Sequence, residues 1–385
     1  MKRFLVLIAL LSTITLNAFD WKHQNNSELR ASMLAFAQDF AIQTKGTPEG
    51  KALRKFIKAE NRKAPDDTLS WIMDTYDLVM KLESLSTPVK DDGSFKAQVR
   101  KNTFLLLDFP IHVDNTASGA SEQEKAAFNE FSERYRADAR RKALDWLASP
   151  APAQGELQVC KIYNMSYLLR TADRTLAIDI RWDGTAQEAS QIAAKSDIFF
   201  LSHPHLDHYN PVMLEALEKS GATMVLPSDV FPQCTTDQKI VAGDPWDEPV
   251  DVKGVKVQIV RGHQGDLPNN AYMLSFDGWR ILIPGENDDP ALYRPFALMQ
   301  APDLILFPSW NSLTKLLDIV SGMPGYDRKK VTFIPGHENE IVFHGINHRE
   351  SYRELFNRPD RLGSKDFDYP SVMLQDLGEC STLRK

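Results

Sequence analysis

Residues 197–208 read Asp197-Ile198-Phe199-Phe200-Leu201-Ser202-His203-Pro204-His205-Leu206-Asp207-His208, an apolar run that ends directly in a cluster of metal-ligand residue types. The run reads as a buried strand. The same arrangement recurs: residues 176–178 lead to Asp179, 257–260 to His263, 281–285 to Glu286 and 331–336 to His337. Imidazole and carboxylate are the usual zinc donors, and His203 to His208 packs four of them too densely for an ordinary structural role. Ligands on loops just beyond buried strands are held rigidly yet stay open to a cleft.

Residues two apart on an extended segment point the same way. His203 and His205 can therefore hold one metal, while a bent loop brings Asp207 and His208 round to a second. Two metals about 3.5–4 Å apart can share one hydroxide and clamp an oxygen-rich substrate. The remaining ligands come from His263, Glu286 and His337, with Asp179 as a carboxylate behind them.

Residues 1–18 look like a secretory signal: Lys2 and Arg3, an apolar run from 4 to 16, and a small-residue cleavage site at Leu16-Asn17-Ala18. The run is shorter than the ~20 residues a spanning helix needs. A periplasmic or secreted mature chain is expected, with no transmembrane anchor. The chain is acidic, with formal net charge −7, so nucleic acid is not expected as a partner. The partner expected is a small-molecule or lipid-like substrate. Cys160, Cys234 and Cys380 are too scattered for a metal motif. One disulfide with one thiol left over and three unpaired thiols remain equal options.

Composition changes at Ser149-Pro150-Ala151-Pro152-Ala153-Gln154-Gly155, which reads as a linker. Before it, helical spacing marks helices led by Leu29, Met33, Phe36 and Phe40, by Leu53, Phe56 and Ile57, and by Ile72, Tyr76 and Val79. Ser121 and Glu124 form a capping box for a long helix. Residues 104–114 are apolar but of no settled form. After the linker, 157–171 and 175–180 read as a hairpin, 186–195 and 212–220 as helices, and 223–226, 255–260, 271–276, 280–283, 304–307 and 331–334 as strands. The domains expected are a signal peptide at 1–18, a helical region at 19–150, a catalytic domain at 155–350 and a C-terminal extension at 351–385 packing on it.

From about residue 155 to 343 the chain resembles the metallo-β-lactamase fold hydrolases. Their signature is H-x-H-x-D-H, then a distant His, an Asp and a last His. Here the match is His203-Pro204-His205-Leu206-Asp207-His208, then His263, Glu286 and His337, with Asp179 matching the early strand-end acid. The resemblance implies an α/β (α+β) fold, an αββα sandwich preceded here by the helical region, with Zn2+ as cofactor, two per chain. His203, His205 and His263 would bind the first zinc, and Asp207, His208 and His337 the second. A water between them would lose a proton near neutral pH. It would attack a carbonyl carbon or phosphorus, with Asp207 orienting it or shuttling its proton.

The chain departs from the family at the fourth element, where Glu286 replaces the bridging aspartate. Glu286 ranks first as the bridge. Asp288 reaching in, or a weakened second site, are the alternatives. His344 and His348, four apart, could share a helix face near the rim, and His112 could enter the cleft from a lid. Tyr209 and Trp310 could line the pocket. Asp266 could orient a metal-bound imidazole, or simply form a turn.

The function expected is an exported zinc-dependent hydrolase that cleaves an ester, lactone, amide or phosphodiester with a metal-bound hydroxide. A true β-lactamase and a non-catalytic metal-binding or scaffold protein with a degraded second site are the alternatives. The substrate and the oligomeric state are not written in the sequence.

Overall fold

The computed structural model describes residues 26–63, 70–111, 113, 121–227, 231, 239–241, 249–287, 289–308, 313–338, 351–357 and 371–385. Residues 1–18, read above as a secretory signal, Cys234 and several candidate residues lie outside this set. By contact the chain divides into two units: Met1–Thr87 with Val99–Ser132, and Pro88–Gln98 with Glu133–Lys385. Among the described residues no helix is long and apolar enough to cross a membrane.

The first unit is built from α1 (Asn26–Gln43), α2 (Pro48–Glu60), α3 (Ser70–Glu83) and the adjoining parts of α4 (Phe95–Ile111) and α5 (Glu122–Ala148). Leu29, Met33, Phe40, Leu53, Phe56, Ile72, Tyr76 and Val79 are buried, at the spacing the sequence shows. Pro48 opens α2 rather than merely ending α1. Thr47 is the cap, and its side chain accepts from the Gly50 amide. The undecided run 104–111 is the second half of α4. Both capping-box bonds at the start of α5 are present: Ser121 N donates to Glu124 Oε2 (2.6 Å) and Glu124 N to Ser121 Oγ (3.2 Å).

The division between units falls inside α5, not at residues 149–155. Within the second unit's part of α5, Tyr135, Ala139, Ala143 and Leu147 form one buried stripe. The end of α5 is fastened there by Arg170, whose guanidinium donates to the carbonyls of Trp146, Leu147 and Ser149 and lies 4.2 Å from the Trp146 ring centre.

The second unit holds two sheets. The first runs β15 (Cys380–Leu383), β2 (Leu157–Tyr163), β3 (Ser166–Arg170), β4 (Thr175–Ile178), β5 (Ile198–Phe200), β6 (Thr223–Leu226) and β7 (Lys239–Val241) in spatial order. It is antiparallel from β15 to β4 and parallel from β4 to β7. The second runs β1 (Val89–Lys90), β14 (Ser371–Leu374), β13 (Thr332–Gly336), β12 (Leu304–Pro308), β11 (Trp279–Ile283), β10 (Leu267–Phe276), β9 (Val255–Gln264) and β8 (Val250–Val252). Its strands β11 to β14 are parallel.

One core cluster draws alternate residues from both sheets: Leu176, Ile178, Ile198 and Phe200 from one, Tyr272, Leu274, Ile281 and Ile283 from the other. Ala177, Phe199 and Met224 are buried too but lie outside that cluster, so the outer face of the sheet is covered as well. The parallel crossovers there are made by α6 (Ala186–Lys195) and α7 (Pro211–Ser220), which the connection rule lays across the sheet. A mixed α/β sandwich with a helical region before it is thus observed.

The structure corrects several boundaries. Residues 157–171 break at Asn164, which sits at φ 48°, so the expected hairpin is a three-stranded meander. The expected strands at 255–260 and 271–276 extend to one ten-residue hairpin pair turning at Gly265 and Asp266. The C-terminal residues 371–385 do not merely pack on the domain; they supply β14 to one sheet and β15 to the other. Cys160 and Cys380 face each other across β2 and β15 as free thiols.

Candidate metal centre

The site forms where the parallel strands end. After β4, Asp179 takes up φ 48°, a left-handed conformation that costs a non-glycine residue energy. Its bonds compensate for that strain. Oδ1 accepts from Ser202 N (2.7 Å), Oδ2 accepts from Ser202 Oγ (2.7 Å), and its own carbonyl accepts from Ser166 Oγ (2.6 Å). His208 Nδ1 lies 3.0 Å from Asp179 Oδ2. That contact fixes the imidazole with Nε2 turned toward the other donors.

After β5 the loop carries the histidine cluster. The loop is tied at its start by the backbone N–H of Asn270, which donates to the Ser202 carbonyl (2.8 Å), and by Tyr272, whose hydroxyl donates to the Leu201 carbonyl (2.5 Å). At its end Asn210 caps α7, with Pro211 in the first turn. His203 Nε2 lies 3.0 Å from His205 Nδ1, so the two rings converge. Ser202 Oγ stands 2.9 Å behind His203 Nδ1. Asp207 Oδ2 accepts from Asn164 Nδ2 (2.9 Å).

Glu286 follows β11 through Pro284 and Gly285. Gly285 is required there: its φ is +62°, and a Cβ would lie 2.2 Å from Asn269 Oδ1 and 2.9 Å from the Asn270 carbonyl. Glu286 Oε1 lies 3.0 Å from His208 Nε2 and also contacts His337 Nε2. Its Oε2 lies 3.6 Å from His203 Nε2 and accepts from Gln264 Nε2 (2.9 Å).

His337 follows β13 at φ 64°. Its neighbour Gly336 has no room for a side chain, since a Cβ would meet Met165 Sδ at 2.3 Å and the Asn164 carbonyl at 2.9 Å. Glu338, next along, is buried against the equally buried Lys161 of β2. Burial pushes the Lys161 ammonium down to about 7, against the pull of Asp376.

The donor atoms form two groups. Those of Asp207, His208, Glu286 and His337 lie within 4.8 Å of one another, and so do those of His203, His205 and Glu286. Glu286 belongs to both. Every member is buried except His205, which is half-buried. Burial opposes charge on Glu286, but His337 and His208 outweigh it and hold that carboxyl well below its ordinary range. Burial likewise opposes charge on Asp207, and His208 and His337 again prevail and lower it. At His208 burial is outweighed by Glu286, Asp207 and Asp179, which hold the ring well above its ordinary value. His203 goes the other way, lowered by burial and by His208. Carboxylates held ionised beside converging imidazole nitrogens are a donor set that suits a divalent cation.

Six of the seven proposed ligands therefore come together, and Asp179 stands behind them. His263 does not join them. The sequence reading placed it on a loop beyond a strand; instead β9 runs on to Gln264, His263 pairs in register with Pro268, and its side chain is exposed. Asp266 is exposed in the turn. Tyr209 is half-buried, edge-on to Phe231 with ring centres 5.1 Å apart. Asp288, Trp310, His344, His348 and His112 lie outside the described residues. Gln264 and Asn164 went unread, since an amide is not a residue type that draws the eye to a metal.

No protein-family model matches the chain, and no curated protein matches it. Solved structures with a similar backbone include YhfI from Bacillus subtilis, a metallo-β-lactamase fold protein. It is 14% identical, over 48% of this chain and 86% of that chain, with TM-score 0.35. Igni18, a metallo hydrolase from Ignicoccus hospitalis, is 15% identical over 60% of this chain and 99% of that one, with TM-score 0.41. CmlA from Streptomyces venezuelae, a diiron β-hydroxylase, is 12% identical over 69% of this chain and 58% of its own, with TM-score 0.38.

Proposed function

We propose that this chain is an exported metal-dependent hydrolase that holds two zinc ions and cleaves an ester, lactone, amide or phosphodiester bond in a small or lipid-like substrate. The observation that carries this reading is the sharing of Glu286 between two donor groups. A single carboxylate with one oxygen toward each group is what a two-metal site needs at its centre.

Bound zinc would make a water molecule acidic enough to ionise near neutral pH and would polarise the bond to be cleaved. The protein's own residues do the rest. Asp179 holds His208, and Ser202 stands behind His203, so both imidazoles are oriented before anything binds. Asn164 occupies one lone pair of Asp207 Oδ2. That fixes the carboxylate, and its other oxygen can accept a proton from the attacking water or pass one to the leaving group. His205 is half-buried and Leu206 is 47% exposed, while His203, His208, Glu286 and His337 are sealed. Among the described residues the His205–Leu206 side is the open one, and substrate would approach from there.

The test is a panel of phosphodiesters, lactones, thioesters and β-lactams run on wild type and Asp207→Ala. At least one class should be cleaved by wild type, with Asp207→Ala slower by about 10²–10⁴-fold. Chelator should abolish the activity. Turnover unaffected by chelator would contradict the proposal.

A further inference from the structure

We infer that Gln264, not His263, completes the His203–His205 metal position, giving both metal positions the same donor set. This rests on the two-metal reading above. The disposition of side chains at the end of β9 is the first observation. β9 stays paired with β10 as far as Gln264 opposite Leu267. Gly262 is buried, His263 is exposed, and Gln264 turns back to Glu286. The histidine at the family's third-ligand place is thus exposed at the end of the hairpin, and its neighbour Gln264 is the residue that reaches Glu286.

The second observation is how the Gln264 amide is held. Its Nε2 donates to Glu286 Oε2 (2.9 Å), the same oxygen that lies 3.6 Å from His203 Nε2. A carboxylate can only accept, so this bond fixes which end of the amide faces Glu286 and leaves Oε1 as the end without a partner. That Oε1 is buried and has no hydrogen-bond partner among the described residues. A buried acceptor left unmade costs stability, and a cation beside His203 and His205 would satisfy it. No room for a larger side chain exists one turn of the alternation earlier, since a Cβ on Gly262 would fall 1.7 Å from Asn287 Oδ1.

With Gln264 as ligand, one position has His203, His205, Gln264 Oε1 and Glu286. The other has His208, His337, Asp207 and Glu286. Each then offers two nitrogens and two oxygens. Amide oxygen is a harder donor than imidazole, which shifts the first position toward metals that accept oxygen ligands.

The test uses the full chain stripped of metal, titrated with zinc and with cobalt(II), in wild type, His263→Ala, Gln264→Ala and Gln264→His. His263→Ala should bind two equivalents as wild type does. Gln264→Ala should weaken one of the two by at least about tenfold. Gln264→His, which restores an imidazole, should keep two equivalents but change the cobalt(II) visible absorption, because a ligand atom has changed. An unchanged cobalt spectrum in Gln264→His would reduce Gln264 to a hydrogen-bond partner of Glu286 and overturn the inference. Loss of one metal in His263→Ala with none lost in Gln264→Ala would overturn it too. A wild type that takes up no metal would instead overturn the two-metal reading itself, and this inference with it.

Discussion

At the residue scale, the site depends on groups that hold ligands as much as on the ligands. Asp179 is fully buried behind the donor groups, yet it carries the strained φ of 48° and orients His208. Asp179→Asn keeps the shape but puts an amide where the imidazole needs an acceptor. It should lower metal affinity by about 10–100-fold with an unchanged circular dichroism spectrum, as read by competition against a chromogenic chelator. Unchanged affinity would deny Asp179 that role. Asp179 was legible because an acid after a short apolar run repeats the pattern of the ligands. Gln264 and His263 were not. Residues 261–264 lack apolar side chains, so the sequence signal for the strand stops while its backbone pairing continues. Only that pairing shows which of the two residues turns inward.

At the element scale, close backbone approach does the positioning. Gly336 lies where the β13 backbone crosses Met165 and Asn164, and Tyr167 donates to the Pro335 carbonyl beside it (2.9 Å). Gly336→Ala should overpack this crossing, at about 1–3 kcal/mol, and displace His337. The measurement is a lowered unfolding midpoint together with partial metal loss; a variant as stable and as metal-loaded as wild type would refute the argument. The helices were the most legible elements, because apolar residues recur at helical spacing and Ser121–Glu124 writes its capping box in the chain. Interior strands such as β5, β11 and β12 were legible as continuous apolar runs. β1, β7, β8, β14 and β15 were not. They are two to four residues long, and they become strands only by pairing with a sheet that already exists.

At the scale of the whole molecule, residues 371–385 close the sandwich. The C-terminal segment crosses from one sheet to the other, with Met373 of β14 and Leu383 of β15 both in the shared core. Deleting residues 380–385 would strip β2 of its edge partner and expose part of that core. The truncated protein should unfold at lower temperature and be cut by protease within β2, while a full-length-like midpoint would show β15 to be dispensable. The two-sheet architecture and the convergence of six of the seven proposed ligands could be expected from strand-end chemistry and a family resemblance. The exchange of His263 for Gln264 could not, because it depends on a register set by residues on both strands of the hairpin.

The central claim is that Glu286 joins two metal positions, and metal content per chain tests it most directly. Wild type and Glu286→Ala would be loaded with zinc, freed of loosely bound ion and measured by mass spectrometry of the metal. The account predicts close to two zinc ions in wild type and a loss from both positions in Glu286→Ala, since each donor group loses the same carboxylate. A Glu286→Ala protein that is folded and still holds its full complement of metal would contradict it.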